Sequence, residues 1–363
     1  MEGEVVKLGG SILKTLDSYV EAASRLTMIK EEVVAVVVSA ARGVTDKILR
    51  ACEDDLKAGL EVLEFYYAMA SQLSPGLARR VSEVLAPLKK LNDDCKDNPW
   101  LQARMLSLGE AASRLIMVES LEHVGVKSMS VPATSVLEGY GYPLNARIDY
   151  LGSKTRLLSA LRLAVSEKAV PVIEGFVASS DGRVVVLGRG GSDYTATAIA
   201  SLAGARRVRL VTDVDGIYTA DPRRVPGARV VESMGYLEAL EASRMGAKKM
   251  HPRTFEPHRL FKPVEVLVGG WDKATRIHPK PYTAPPRVKL VASKPLGRLE
   301  VLALIGEGAP TPKVASRVLD ALYSAGVSIK SLHAVSGRPS LTIMVDRGSS
   351  SKALEVLHSL VGV

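Results

Sequence analysis

Amides, cysteines and aromatic residues are scarce in this chain. Its asparagines are Asn92, Asn98 and Asn145, and its glutamines are Gln72 and Gln102. Such scarcity of thermolabile side chains is a tendency of proteins from hot environments. Cys52 and Cys95 are the only cysteines. Without a CxxC spacing they suggest neither a disulfide framework nor a zinc site, and both are expected to be inert packing residues. Long apolar runs are also missing, and no basic, apolar and small-residue succession reads as a secretory leader. Neither a membrane span nor a membrane partner is expected, and the expected location is cytoplasmic. Acidic residues are outnumbered, 39 against 48 basic ones, for a net charge of +9. The excess is scattered rather than massed in one tail or stripe, so no nucleic-acid partner is expected. The basic stretch from Lys248 to Lys262 would equally attract a polyphosphate.

A chain of 363 residues has room for one large domain and a small one. Apolar, β-branched runs at Val5–Leu8, Val33–Ser39, Lys127–Val131, Ala169–Ile173, Val184–Leu187 and Val208–Thr212 read as buried strands. Amphipathic segments at Leu16–Lys30, Ser153–Glu167 and Tyr194–Leu202 alternate with them. That alternation predicts an α/β fold, a mostly parallel sheet sandwiched by helices. Residues 45–121 carry helical periodicity only and read as a helical insertion. Four prolines within 279–286 mark a boundary. Beyond it a βαββα order describes a small α+β, ferredoxin-like unit. The expected domains are residues 1–283 and 284–363.

Four stretches carry chemistry. At the end of the first strand, Lys7-Leu8-Gly9-Gly10-Ser11 sets two glycines beside a lysine, so backbone N–H groups and a full charge would face a phosphate. A helix starting just afterwards would add its positive end. Taken alone, a structural turn explains this stretch equally well. The second, Leu187-Gly188-Arg189-Gly190-Gly191-Ser192-Asp193, runs from a strand into a helix. Ligands of open α/β sheets bind at that edge. Arg189 would clamp a carboxylate and Asp193 would orient a lysine or a metal, unless Ser192 or Asp193 merely caps the helix. The third, Thr212-Asp213 through Tyr218 to Asp221-Pro222-Arg223, lacks the later acidic ligand of a calcium loop. It would hold a ribose hydroxyl and stack a base on Tyr218. The fourth, Gly246 to Arg253, ends a helix with a positive cluster that either complements the helix dipole or binds nucleotide phosphates through Lys248.

Together these stretches resemble the aspartate-kinase (aspartokinase) branch of the amino-acid kinase family, over nearly the whole chain and in the right order. Val37–Ala40 with Val44-Thr45-Asp46, Ser107-Leu108-Gly109-Glu110 and Glu174-Gly175-Phe176 add to the match. The resemblance implies an ATP- and Mg²⁺-dependent kinase forming 4-phospho-L-aspartate, with an ACT domain at the C-terminus. It implies catalytic roles for Lys7, Asp193 and Lys248. Ser39, Thr45, Glu110, Phe176, Arg189 and Ser192 would meet the amino acid, Arg189 at its α-carboxylate and Glu110 at its ammonium. Gly9, Gly10, Ser11, Thr212, Asp213, Tyr218, Asp221, Arg223 and Lys248 would meet the nucleotide, and no dedicated metal ligand is implied. ACT units commonly pair side by side, so a homodimer or higher homo-oligomer is expected. The resemblance also implies an amino-acid effector as a partner at the ACT domain.

Departures from the family keep two further readings open. Leu8, Ser11 and Tyr140–Pro143 differ from the usual pattern, which leaves a homoserine kinase on the same fold in contention. A non-catalytic regulatory subunit is the third reading, against which the intact Lys7, Asp193 and Lys248 argue. Only one ACT unit is visible, with Arg287–Ala292 available as its missing strand.

Overall fold

The computed structural model describes residues 3–91, 94–247 and 250–362. They form two compact units, Met1–Asp213 with Glu256–Val264, and Val214–Phe255 with Glu265–Val363. Residues 214–255 therefore pack with the C-terminal region. No helix among the described residues is long and apolar enough to cross a membrane.

The first unit is built on five parallel strands in the order Arg207–Val211, Glu4–Leu8, Val33–Val38, Val170–Glu174, Ser128–Val131. Val5, Val6, Val36, Val37 and Val38 are fully buried, as a parallel sheet covered by helices requires. Helices Pro99–His123 and Gly191–Ala203 pack against these strands. The sheet edge that receives the strands' C-terminal ends therefore gathers residues 7–11, 39–45, 174–176 and 212–213.

The strand expected at Val184–Leu187 is Arg183–Val186 and lies outside that sheet. It pairs antiparallel with Val177–Ser180. Asp181 and Gly182 turn the chain between them with φ of 50° and 77°, the left-handed pair a two-residue hairpin needs. A run buried on both faces looks alike in either setting, so the apolar pattern alone misplaced it.

The helical insertion comprises Val44–Cys52, Leu56–Leu73, Pro75–Leu85, Asp94–Asp97 and the start of Pro99–His123. Its cysteines depart from expectation. Cys52, ending one helix, and Cys95, in the short helix Asp94–Asp97, are joined in a disulfide with Cα atoms 5.0 Å apart. No motif announces a pair 43 residues apart; tertiary packing brings the two together. By the loop-closure argument a cross-link across 43 residues stabilises by about 4 kcal/mol. Reduction is expected to lower the denaturant midpoint accordingly, and titrations with and without dithiothreitol will measure it; coincident midpoints would contradict the estimate.

In the second unit, strands Leu290–Leu296, Leu299–Ile305, Ser340–Asp346 and Ile329–Ala334 form an antiparallel sheet in that order. Helices Pro312–Ser324 and Ser350–His358 pack together beside it. The strand sought within Arg287–Ala292 is the first of these and completes the ferredoxin-like sheet. Its core also takes in Ala220 and Val225, which lie far earlier in the chain.

Candidate active site

The strand Glu4–Leu8 delivers Lys7 to the sheet edge, where its Nζ lies 2.6 Å from Asp193 Oδ1. Both side chains are largely enclosed, at 12% and 16% exposure, so water weakens the attraction less than at a surface. Asp193 stands in the first turn of Gly191–Ala203, where the helix dipole favours a carboxylate. That helix is preceded by Gly188 and Gly190, both left-handed, and Gly190 occupies the capping position without a side-chain bond. Ser192 and Asp193 are therefore not its caps. A Cβ on Gly10 would sit 2.8 Å from the Ala40 carbonyl, so this close approach admits only glycine. The helix expected directly after Ser11 starts later, at Leu16, capped by Thr15. Residues 9–13 instead form a turn in which the Ile12 and Leu13 N–H groups donate to the Gly9 carbonyl. Ser11 Oγ lies 3.1 Å from Thr212 Oγ1, and Thr212 Oγ1 donates to Asp213 Oδ1 at 3.2 Å. Lys7, Gly9, Gly10, Ser11, Asp193, Thr212 and Asp213 thus belong to one corner. Lys248 lies outside the described residues.

Beside it is a buried acidic site. Glu110 is 3% exposed on the helix Pro99–His123, and its Oε2 has no hydrogen-bond partner. Burial pushes its pKa up to about 8; the Ala40 N–H opposes that rise and the charge of Glu174 adds to it. Gly109 lets the helix come close, since a Cβ there would meet Val44 at 2.7 Å. Ser113 Oγ donates to the Ser39 carbonyl at 2.6 Å and lies 2.6 Å from Tyr19 Oη. Tyr66 Oη donates to the Gly109 carbonyl at 2.9 Å and accepts the Ala41 N–H at 2.8 Å. This network fixes the backbone around Ser39, whose side chain stays half-buried. Thr45 is half-buried in the first turn of Val44–Cys52, behind the left-handed Gly43.

Phe176 adopts φ of 70°, a conformation that a bulky side chain holds only where its surroundings impose it. Its N–H donates to Thr195 Oγ1 at 3.0 Å and its carbonyl accepts from the Leu187 N–H at 2.8 Å. A Cβ on Gly175 would lie 2.6 Å from Ser192 Cβ, and one on Gly191 would lie 2.7 Å from Phe176 Cδ2. The corner bearing Phe176 and the loop bearing Arg189 and Ser192 are thus meshed. Arg189 itself is exposed.

Two residues without an expected role belong to this site. Arg114, one turn beyond Glu110, forms an ion pair with Glu174 at 2.5 Å, with exposures of 10% and 5%, and also bonds Ser130. Burial raises the Glu174 pKa, against the opposing charge of Arg114. The available signal was an arginine set in an apolar helical run, Leu115-Ile116-Met117-Val118, where a charge needs a partner.

In the second unit, Tyr218 bridges to Val230 and Asp221 Oδ1 accepts from the Arg223 N–H at 3.1 Å and Nε at 3.3 Å. These three residues line a cavity of about 780 Å³, together with Gly246 and Ala247.

The sequence matches the model of the amino acid kinase family over residues 4–268. It is 31% identical over 283 residues to a bifunctional aspartokinase/homoserine dehydrogenase of Buchnera aphidicola subsp. Acyrthosiphon pisum (strain APS), covering 71% of this chain and 34% of that protein. It is 31% identical over 277 residues to the lysine-sensitive aspartokinase 3 of Escherichia coli (strain K12), covering 73% of this chain and 61% of that one. The chain thus spans between about a third and three-fifths of these relatives' lengths. Among solved structures, E. coli aspartokinase III in complex with aspartate and ADP superposes with a TM-score of 0.82 at 21% identity, covering 98% of this chain and 99% of that one. That likeness shows the fold.

Proposed function

Since the chain belongs to the amino acid kinase family, we propose that it transfers the terminal phosphoryl group of ATP to the side-chain carboxylate of L-aspartate, giving 4-phospho-L-aspartate and ADP. The observation that carries this reading is Glu110, a buried carboxyl whose Oε2 lacks a partner. An α-ammonium group placed there would supply both the charge and the missing donor. Arg189, on its exposed loop, would take the α-carboxylate as a bidentate pair, and Ser39 and Thr45 would face the reacting end. The side-chain oxygen attacks the γ-phosphorus, the bond to the β-phosphate oxygen breaks, and ADP leaves. A carboxylate nucleophile carries no proton, so no base is needed. Lys7 would neutralise charge on the migrating group, and alignment does the rest.

Among the described residues no group of three or more His, Cys, Asp or Glu side chains is set to hold a metal. Mg²⁺ fits this arrangement as a hard cation carried in on the nucleotide's phosphate oxygens and water. Homoserine is the second reading, favoured by Leu8, Ser11 and the exposed Tyr140 and Tyr142. Its hydroxyl would have to lose a proton, and Asp193 is already engaged with Lys7 at 2.6 Å, which counts against it. The same proposal has two chains pairing through their C-terminal units, with an amino-acid effector acting there.

A coupled ADP-release assay with each substrate, combined with hydroxylamine trapping, separates the two. Aspartate is expected to support turnover and yield a hydroxamate, the mark of an acyl phosphate. Faster turnover on homoserine without hydroxamate would overturn the proposal.

A further inference from the structure

Glu110 and Arg114 stand four residues apart on the helix Pro99–His123, the acid nearer its N-terminus. On a helix, that order and spacing ordinarily let an acid and a base pair. Here they do not. Glu110 Oε2 has no hydrogen-bond partner, and the cation it would take is engaged elsewhere. Arg114 Nε lies 2.5 Å from Glu174 Oε2, and its Nη1 donates to Ser130 Oγ.

The sheet holds both anchors. Ser130 lies on Ser128–Val131, and Glu174 ends the neighbouring strand Val170–Glu174. The Gly175 N–H donates to the Val38 carbonyl at 2.8 Å, which fixes the backbone just beyond Glu174. Bound by one nitrogen to each strand, the planar guanidinium has its orientation set. Glu110, Glu174 and Arg114 are all buried, so two acids share one resident cation. Arg114 balances Glu174, and Glu110 is left to ionise at low cost only when a second cation arrives. A ligand bearing a primary ammonium group brings that cation, and an N-acylated acid brings none.

Resting on the reading of Glu110 as the ammonium site, we propose that Glu174 is a positioning residue: it draws Arg114 off Glu110 and so keeps that carboxyl open to the ammonium group of the substrate. Without Glu174 the helix would close its own ion pair, and the substrate would have to displace an internal cation before binding.

Glu174→Gln keeps the size of the side chain and removes its charge. Arg114 is then expected to turn to Glu110 and raise the KM of aspartate about tenfold or more. The turnover number should stay within about threefold, because an internal pair opposes ground state and transition state alike. The fall of KM between about pH 6 and 8 should vanish, since an adjacent arginine keeps Glu110 ionised throughout. The groups facing Glu110 from other elements are Tyr19, Tyr66, Glu174 and the Ala40 N–H, and both tyrosines titrate above that window.

The decisive comparison is the double variant, Glu174→Gln with Arg114→Met. Taking away the displaced cation should return KM to within a few-fold of the parent and restore its pH dependence. A merely structural pair would leave the double variant no better than the single one. Equal losses in the two variants, or none in either, with melting temperatures intact, would overturn the proposal. Should Glu174→Gln not fold, Ser130→Ala loosens Arg114 with every charge in place; KM should rise several-fold, and an unchanged KM would overturn the proposal. A ¹³C carboxyl titration of Glu110 reads the switch without substrate: its midpoint should drop in Glu174→Gln and climb back in the double variant. If it does so while Glu110→Gln leaves the KM of aspartate unaltered, the hold on Arg114 stands and the ammonium site falls. If Glu110→Gln weakens aspartate while that midpoint does not move, the ammonium site stands and this inference falls.

Discussion

Replacing Lys7 by alanine is expected to lower turnover about 10²- to 10³-fold, the range seen when one preorganised stabilising group is taken from a transition state. The ammonium group lies 2.6 Å from Asp193 in a largely enclosed corner, where water screens its charge less than at a surface. Folding should survive. Val5, Val6 and Leu8 of the same strand are fully buried and carry its packing, whereas Lys7 ends over the glycine turn. Asp193 keeps the favourable end of the helix Gly191–Ala203 after its partner is gone. Steady-state kinetics with a parallel thermal melt will decide. A variant that turns over within a few-fold of the parent, equally stable, would mean that this corner does not receive the phosphoryl group.

The second large effect concerns pH and the amino acid. With the Glu110 pKa near 8, the carboxyl is mostly protonated at neutral pH and must release its proton to receive an ammonium group. The KM for the amino acid should therefore fall as pH rises from about 6 to 8, approaching tenfold per unit at the acid end, and then level off. The groups facing Glu110 are Tyr19, Tyr66 and Glu174, with the Ala40 N–H. The tyrosines titrate above this window, so among these groups Glu174, held by Arg114, is the competing acid. Glu110→Gln should flatten the profile and raise KM about 10- to 100-fold, the worth of a charge-assisted bond. The ligand-free protein should respond in the opposite sense. Between the ordinary value of 4.5 and about 8 the unfolded chain releases a proton that the folded one keeps, so stability declines with rising pH across that window. The glutamine variant, free of that penalty, should melt higher than the parent at pH 8. A parental KM flat from pH 6 to 8 would remove Glu110 from the ammonium site.

Much of the local structure around the candidate site was legible because its elements are local. The buried strands announce themselves as continuous β-branched runs. The glycines around Arg189 lie next to one another in the chain, so their turn and the following helix could be read together, as could Lys7 beside Gly9 and Gly10. What escaped depends on distant partners. Arg114, on a helix, is meaningful only because Glu174, at the end of a strand, meets it. Cys52 and Cys95 become a pair only when the insertion folds. The engagement of Ala220 and Val225 in the C-terminal core has no local signature, since two small apolar residues in a loop look the same wherever they pack. The Asp181-Gly182 hairpin was different: its turn signal is present, but the apolar run beside it suits a parallel strand as well.

Gly175, Phe176, Gly191 and Ser192 interlock with no room for a further methyl group. Their meshing makes this corner a fixed gauge rather than a pliable glove: the loop carrying Arg189 cannot press closer to Phe176, and the Leu187 N–H bond to the Phe176 carbonyl ties the two together. Drift at any one of the four positions calls for a matching change at its neighbour, so over evolutionary time they should alter as a set or stay as they are. If the proposed amino acid seats against this corner, a rigid gauge of that kind would sort acids by length, at the level of a single methylene.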